Sequence, residues 1–216
     1  MKISKTNSGI YVVGESGQTP ATPSPEPSVS ITSATSGDVT NTYTAINQMV
    51  TDGVIKDYAL GGAMGAMFYI EVSSTSDMDM FCALAHEPLA SGIVLLNPLT
   101  DYLEKKGYKT SALGAIIEGI EVQFQFPADA LGVESIATAR TFDLDGIPVR
   151  VMMPEYLVAH MVKLNRSKDR TRLIRFIETQ GFDPSAVFDI LQSHGLEDKY
   201  SVLETLAKEV GNEEVS

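Results

Sequence analysis

Apolar and polar residues alternate along several short stretches of the chain. The clearest is 120–126, where every second side chain from Ile120 to Phe126 is apolar and the side chains between them are polar. A strand sends successive side chains to opposite faces, so this period of two predicts one buried and one polar face. Alternation and turn residues together predict strands at 58–60, 77–84, 120–126, 141–144 and 148–152.

Apolar residues with helical spacing fill much of the remaining chain. The predicted helices cover 45–50, 63–69, 98–106 and 130–139, and four more apolar stripes follow Pro154. The predicted fold class is therefore α/β (α+β), with a small mixed sheet, flanking helices and a helical C-terminal part.

Residues 14–44 have a different composition from the rest. Twenty of these 31 residues are Ser, Thr, Pro or Gly, and none is Lys or Arg. Such a stretch buries too little apolar surface to offset the entropy lost on ordering it. We predict a disordered Ser/Thr/Pro-rich tail over 1–44, with at most a loose strand at 10–13, an α/β core over 45–152 and a helical part of the same domain over 153–216. A proline-rich ligand for a partner domain is the alternative interpretation of the tail.

The charge balance narrows the classes of partner. Asp and Glu number 28 against 16 Lys and Arg, a formal net charge of −12. A protein that coats nucleic acid needs surplus cations, so that class is disfavoured. Residues 150–175 hold seven Lys or Arg against Glu155 and Asp169, a local charge of +5 that keeps an RNA contact open.

Cysteine content and hydropathy favour an intracellular protein. The single cysteine, Cys82, cannot form an internal disulfide framework, and its position within a predicted strand indicates a small buried residue. No apolar run approaches the ~18 residues of a membrane span. We therefore expect a cytoplasmic location and no membrane partner.

Two glycines and two aspartates are the strongest candidates for chemistry. Gly61 and Gly62 lie where a predicted strand enters a helix, and glycine lets backbone amides approach a phosphate there. Asp77 and Asp79 are two residues apart on a predicted strand, so their carboxylates leave the same face. Because adjacent carboxylates repel unless a cation lies between them, the set indicates phosphoryl or nucleotidyl transfer. A strand-start cap at Asp77 and a solvent-facing Asp79 are the alternative.

These residues resemble a known pattern. Gly61-Gly62, Thr75 and Asp77-x-Asp79, with a later polar strand, resemble the nucleotidyltransferase superfamily. The segments 146–152 and 154–159, Lys163, and Lys168-Asp169-Arg170 resemble AbiEii-type nucleotidyltransferases of abortive-infection and toxin–antitoxin systems. The resemblance covers about 42–200 and excludes the N-terminal tail.

The resemblance implies a nucleotidyltransferase-like fold with a cleft for a nucleoside triphosphate and Mg²⁺ (or Mn²⁺). It implies that Asp77 and Asp79 bind the metal and act in catalysis. It assigns nucleotide binding to Gly61, Gly62, Thr75, Lys163, Lys168 and Asp169. A nucleoside monophosphate would pass to a hydroxyl acceptor, which is an RNA end, a protein or a small molecule. An antitoxin would be a further partner.

The chain departs from the superfamily at the third acidic position, where active members place a carboxylate on a later strand. Val122-Gln123-Phe124 has the apolar flanks of that position but a neutral amide, and Glu121 offers a carboxylate two residues earlier. An amide binds Mg²⁺ less well than a carboxylate and cannot act as a general base. Three interpretations remain open. Glu121 replaces the acid, with Glu121 and Gln123 as candidate catalytic residues; or the site is weak; or the chain is a catalytically degenerate nucleotide- or partner-binding module.

Overall fold

The computed structural model describes residues 3–5, 11–13, 36–72, 75, 77–85, 97–111 and 114–213. Its helices are α1 (Ser36–Thr51), α2 (Gly62–Ala66), α3 (Asn97–Lys105), α4 (Ala130–Ala137), α5 (Pro154–Leu164), α6 (Ser167–Thr179), α7 (Pro184–Ser193) and α8 (Ser201–Glu213), with a 3₁₀ helix at Glu197–Tyr200. Its strands are β1 (Ile3–Lys5), β2 (Tyr11–Val13), β3 (Ile55–Leu60), β4 (Asp77–Leu84), β5 (Lys109–Thr110), β6 (Gly114–Ile117), β7 (Ile120–Gln125), β8 (Arg140–Leu144) and β9 (Ile147–Val151).

The described residues form two compact units. The sheet unit lies within Ile31–Phe68 and Val72–Met153. The helical unit lies within Met1–Ser30, Tyr69–Glu71 and Pro154–Ser216.

Seven strands of the sheet unit form one mixed sheet in the order β5-β6-β7-β4-β3-β9-β8. At its centre, β4 pairs in parallel with β7 and antiparallel with β3. β3 and β9 are also parallel, and the other neighbours are antiparallel. This arrangement confirms the predicted mixed sheet with flanking helices.

Helix α1 covers the apolar face of this sheet. On β4, Met78, Met80 and Cys82 are buried, and the residues between them are only half-buried. The hydroxyl of Tyr58, the register partner of Cys82, donates to Asn47 Oδ1 of α1 at 2.8 Å. Because register partners share a face, α1 and the buried residues of β4 lie on the same side of the sheet.

Helix α4 lies on the opposite, polar face. Arg150 of β9 donates from Nη2 to the carbonyl of Ile136 near the end of α4 at 2.8 Å, and its Nε forms an ion pair with Asp57 of β3 at 2.8 Å. Asp57 pairs in register with Ala83 of β4, which alternates with the buried positions of that strand. Arg150, α4 and the polar side chains of β4 therefore share one face.

Helix α1 corrects the predicted boundary of the tail. It begins at Ser36, so the prediction of disorder is wrong over 36–44. Val39 and Tyr43 are buried, and the hydroxyl of Thr42 donates to the carbonyl of Ile117 at 3.0 Å. The apolar residues of this part of α1 have helical spacing, but the many Ser and Thr residues between them made the segment look like part of the tail. Residues 14–35 lie outside the described residues, and the strand predicted at 10–13 corresponds to β2, which pairs with β1.

We expect the backbone amides of residues 40–44 to exchange with deuterium about 100-fold more slowly than those of an unstructured peptide, because helical hydrogen bonding and burial protect them. Hydrogen exchange of peptides covering 36–50, followed by mass spectrometry, measures this. Exchange at peptide rates over 40–44, with protection confined to 45–50, would place the start of the helix where the apolar pattern predicted it.

The other predicted elements match the structure with small differences in length. Helix α2 has five residues and ends at Ala66, short of the predicted 63–69. The pattern did not predict β5 or β6, which extend the sheet beyond β7. The hairpin between β8 and β9 turns at Asp145 and Gly146, both with positive φ, as the Asp-Gly pair predicted.

The helical unit confirms the predicted helical C-terminal part. Each of its four α-helices buries one apolar stripe, represented by Leu157, Leu173, Leu191 and Leu206. Among the described residues, none of the helices is both long and apolar enough to cross a membrane.

Candidate active site

Asp77 and Asp79 leave the same face of β4, as the alternation predicted. Both are half-buried, and Met78 between them is fully buried on the apolar face. The two carboxylates therefore lie on the central strand of the sheet, on the polar face that α4 partly covers.

Each carboxylate accepts a hydrogen bond from a neutral side chain. The hydroxyl of Thr75 donates to Asp77 Oδ1 at 2.8 Å, and Gln125 Nε2 donates to Asp79 Oδ1 at 2.8 Å. Neutral donors orient a carboxylate without cancelling its charge. Each of the two carboxylates is therefore held in a defined orientation.

Strand β7 places both candidates for the third acid beside the aspartates. In the parallel register, Glu121 lies beside Asp77 and Gln123 beside Asp79. Glu121 is exposed and Gln123 is half-buried. We call the set Asp77, Asp79, Glu121 and Gln123 the acidic face.

The two glycines pack directly against the acidic strand. Gly61 donates its backbone N–H to the carbonyl of Asp79 at 2.9 Å, and a Cβ at Gly61 would lie 2.7 Å from the ring of Phe81. Gly62 has φ +57°, and a Cβ there would overlap Asp79 Oδ2. Side chains of β4 therefore lie too close to both positions for a residue larger than glycine, which is one physical reason for the two glycines. Their predicted contact with phosphate stays a prediction.

Oxygen donors on the acidic face fit a hard divalent cation. In the described part of the chain, no group of three or more His, Cys, Asp or Glu side chains lies close enough to share one ion. The carboxylates of Asp77 and Asp79 are the pair that could hold one. Mg²⁺ is commonly bound by one or two carboxylates together with substrate phosphates and water, so two aspartates are a sufficient protein contribution for a single ion.

Lys163, Lys168 and Asp169 belong to the helical unit. Lys163 is half-buried in the last turn of α5, and Lys168 is exposed at the start of α6. Asp169 is fully buried. Its Oδ2 accepts from the backbone N–H of Arg166 at 3.3 Å and from Nε of the same residue at 2.7 Å, and Oδ1 lies 3.6 Å from Arg172 Nη1.

Asp169 therefore has a structural role that the sequence pattern did not indicate. It closes the first turn of α6 by reaching back to the residue that precedes the helix, as the acidic member of a capping box does. The role of these three residues in nucleotide binding stays a prediction based on the resemblance.

Burial controls the ionisation of two core residues below the acidic face. It raises the pKa of Tyr58 to about 12, and it raises the pKa of the Cys82 thiol well above its usual range. Both groups are protonated at neutral pH, so neither supplies a thiolate or a phenolate. The predicted role of Cys82 as a small buried residue is confirmed.

Gln125 is the residue of this site that sequence reasoning missed. The alternation assigned it correctly to the polar face of β7, but only the paired register shows that its amide reaches Asp79. Its sole signal in the sequence was a third polar position in phase with Glu121 and Gln123.

Comparisons with known proteins find weak similarity to solved structures. No protein-family model and no curated protein matches the chain. The structure of an antigenic nucleotidyltransferase-like protein from Paracoccidioides brasiliensis is 16% identical, with 78% of this chain and 93% of that chain covered and a TM-score of 0.47. That of the antibiotic-resistance factor ANT(2'')-Ia is 14% identical, with 82% and 93% covered and a TM-score of 0.38.

Proposed function

We propose that the protein is a Mg²⁺-dependent nucleotidyltransferase that moves a nucleoside monophosphate from a nucleoside triphosphate to an acceptor hydroxyl. The observation that carries the proposal is the pair Asp77 and Asp79 on one face of the central strand. Neutral donors orient the pair, and Gly62 packs against it. Preorganised carboxylates are what a phosphate-bound divalent ion requires of a protein.

The reaction makes one bond and breaks one. The acceptor oxygen attacks the α-phosphorus, and the bond from that phosphorus to the bridging oxygen of the β-phosphate breaks, so pyrophosphate leaves. The hydroxyl proton passes to a carboxylate of the acidic face. When bound, Mg²⁺ or Mn²⁺ supplies positive charge that neutralises the phosphates. Asp77 and Asp79 would hold the ion, and the absence of side chains at Gly61 and Gly62 would leave room for the triphosphate.

In this proposal the protein is a component of a toxin–antitoxin system with an antitoxin partner. Its support is the resemblance of 146–152, 154–159 and the Lys168-Asp169-Arg170 segment to AbiEii-type proteins. The acceptor is an RNA end, a protein side chain or a small molecule.

One observation favours a second function, a nucleotide-binding module without catalysis. The β7 side chain that bonds to Asp79 is the amide of Gln125, and the register partner of Asp79 is the amide of Gln123. Amides add no negative charge and accept no proton at neutral pH. A site of this kind would bind nucleotide and a divalent ion and turn over slowly or not at all.

The test combines binding with label transfer. Calorimetry with Mn²⁺ and a non-hydrolysable nucleotide should show binding to the wild type that Asp77→Asn or Asp79→Asn weakens by about tenfold or more, because each change removes a charged ligand. Incubation with labelled nucleoside triphosphates, Mg²⁺ and a pool of RNA and protein should give label transfer that both variants lose. Asp101→Asn, which removes the same charge from an exposed position on α3, is the matched control.

The outcomes separate the two functions. Transfer by the wild type and by Asp101→Asn, lost in both site variants, supports the enzyme. Nucleotide and Mn²⁺ binding without transfer supports the binding module. Equal Mn²⁺ affinity in the wild type, Asp77→Asn and Asp79→Asn would contradict both, because the ion would then lie elsewhere. Circular dichroism of each variant verifies that the fold survives.

A further inference from the structure

Gln125 makes a contact that the strand register alone does not predict. Its register partner on β4 is Phe81, and Asp79 is the partner of Gln123. Yet it is Gln125 Nε2 that donates to Asp79 Oδ1, at 2.8 Å, with both residues half-buried. The bond runs diagonally across the parallel pair, a separation of about 7–8 Å between the strand positions that a long side chain can span.

The chemistry of the two groups fixes the orientation of the amide. An ionised carboxylate only accepts hydrogen bonds, so the NH₂ group of Gln125 points at Asp79 and its carbonyl oxygen points away. On the other side of the same carboxylate, Oδ2 lies against Gly62 with no room for a Cβ between them. Asp79 is thus fixed between β7 and the start of α2.

We propose that Gln125 is the positioning residue of the metal site. It occupies the place beside Asp79 from which a third carboxylate would act, and it orients Asp79 for one divalent ion. This inference rests on the proposed function, because it assumes that Asp77 and Asp79 hold an ion. It also assigns the third position to Gln125, whereas the sequence pattern pointed to Glu121 or Gln123.

A neutral residue at this position limits the charge of the site. With an amide at 125, the aspartates contribute two negative charges, which suits a single ion shared with a triphosphate. A carboxylate at 125 would instead meet Asp79 directly. Two carboxylates in contact repel, and a divalent cation between them relieves the repulsion. Gln125→Glu should therefore lower the stability of the metal-free protein and raise its affinity for a divalent ion.

The experiment uses the full chain and Mn²⁺ alone, without nucleotide. In metal-free buffer at pH 7.5 we expect Gln125→Glu to lower the melting temperature by about 4 °C, with saturating Mn²⁺ removing that deficit. In calorimetry, Gln125→Glu should bind Mn²⁺ about tenfold more tightly than the wild type. Gln125→Met, which keeps the length and removes the donor, should bind about threefold to tenfold more weakly.

Gln123→Glu tests the competing position on the acidic face, since it adds the same charge to the same face of β7 two residues earlier. We expect it to change Mn²⁺ affinity by a factor at least about three times smaller than Gln125→Glu does, because it lacks the direct contact with Asp79. An equal or larger effect of Gln123→Glu on both affinity and melting temperature would overturn the assignment. Should Gln125→Glu fail to fold, the Mn²⁺ affinity of Gln125→Met decides, and a wild-type value would overturn it.

Failure of this inference is distinguishable from failure of the proposed function. If Asp77→Asn and Asp79→Asn abolish Mn²⁺ binding while the Gln125 variants bind as the wild type does, the metal site stands and the role of Gln125 is overturned. If the wild type and Gln125→Glu both fail to bind Mn²⁺, with and without nucleotide, the metal site and the positioning role are overturned together. Only the hydrogen bond to Asp79 would then remain.

Discussion

Replacing Gly62 by Ala will lower the free energy of unfolding of the protein by about 3 kcal/mol, one of the largest effects expected from a single methyl group in this chain. Two costs combine. An L-residue at φ +57° loses about 1 kcal/mol, and the new Cβ overlaps the carboxylate of Asp79, which must move. Urea unfolding followed by circular dichroism measures the change.

Gly53→Ala separates the two costs. Gly53 has φ +70° and nothing within 4 Å of a built Cβ, so its substitution should show only the conformational cost of about 1 kcal/mol. In an Asp79→Ala background, Gly62→Ala should fall to the same value, because the overlapping group is gone. Equal effects of Gly62→Ala and Gly53→Ala in the wild-type background would show that Asp79 does not pack against Gly62.

Asp169→Ala is expected to destabilise the protein by about 2–3 kcal/mol. The carboxylate is fully buried and accepts from the backbone and the guanidinium of Arg166, with Arg172 nearby, so its removal leaves these donors without their acceptor. The expected loss of stability is smaller than the full cost of breaking a buried ion pair, because the Arg166 side chain is 48% exposed. Hydrogen exchange of the backbone amides of α5 and α6 shows where the stability is lost.

Two further variants help to interpret this loss. Asp183→Ala gives a reference cost for losing a helix cap, and Asp169→Asn separates the structural role of Asp169 from its predicted nucleotide contact. Asp183→Ala removes an exposed N-cap from α7, which should cost about 1 kcal/mol. Asp169→Asn keeps the shape and one acceptor oxygen while it removes the charge. A loss of nucleotide affinity in Asp169→Asn at unchanged stability would favour the predicted nucleotide contact. A loss of stability at unchanged affinity would favour the structural role.

The parts of the fold with a strong period could be predicted from the sequence. Alternation on β4 and β7 gave the correct strands and the correct face for Asp77 and Asp79, because one face of each strand is buried and the other is not. Positions whose environment depends on distant residues could not be predicted. The first turns of α1 are polar in composition, and they are ordered by burial of Val39 and Tyr43.

The missed elements have specific physical reasons. β6 joins β7 through Glu118-Gly119, both with positive φ, whereas hairpin turns are usually recognised by Asn-Gly or Asp-Gly. The contact of Gln125 with Asp79 depends on a diagonal approach between paired strands, and periodicity places residues on faces but not beside each other. The structural role of Asp169 likewise depends on where α6 begins, and the sequence pattern does not show that Arg166 is the residue before its first turn.

The parallel pairing of β4 and β7 has a consequence for how the site assembles. Asp77 and its partner Glu121 are 44 positions apart along the chain, and α3, β5 and β6 lie between them. Contacts of such long range form only after the entropy of closing a large loop has been overcome. A nascent chain that has emerged as far as β4 already carries both aspartates but not the strand that orients Asp79. The proposed metal affinity should therefore arise only when the centre of the sheet closes, late in folding.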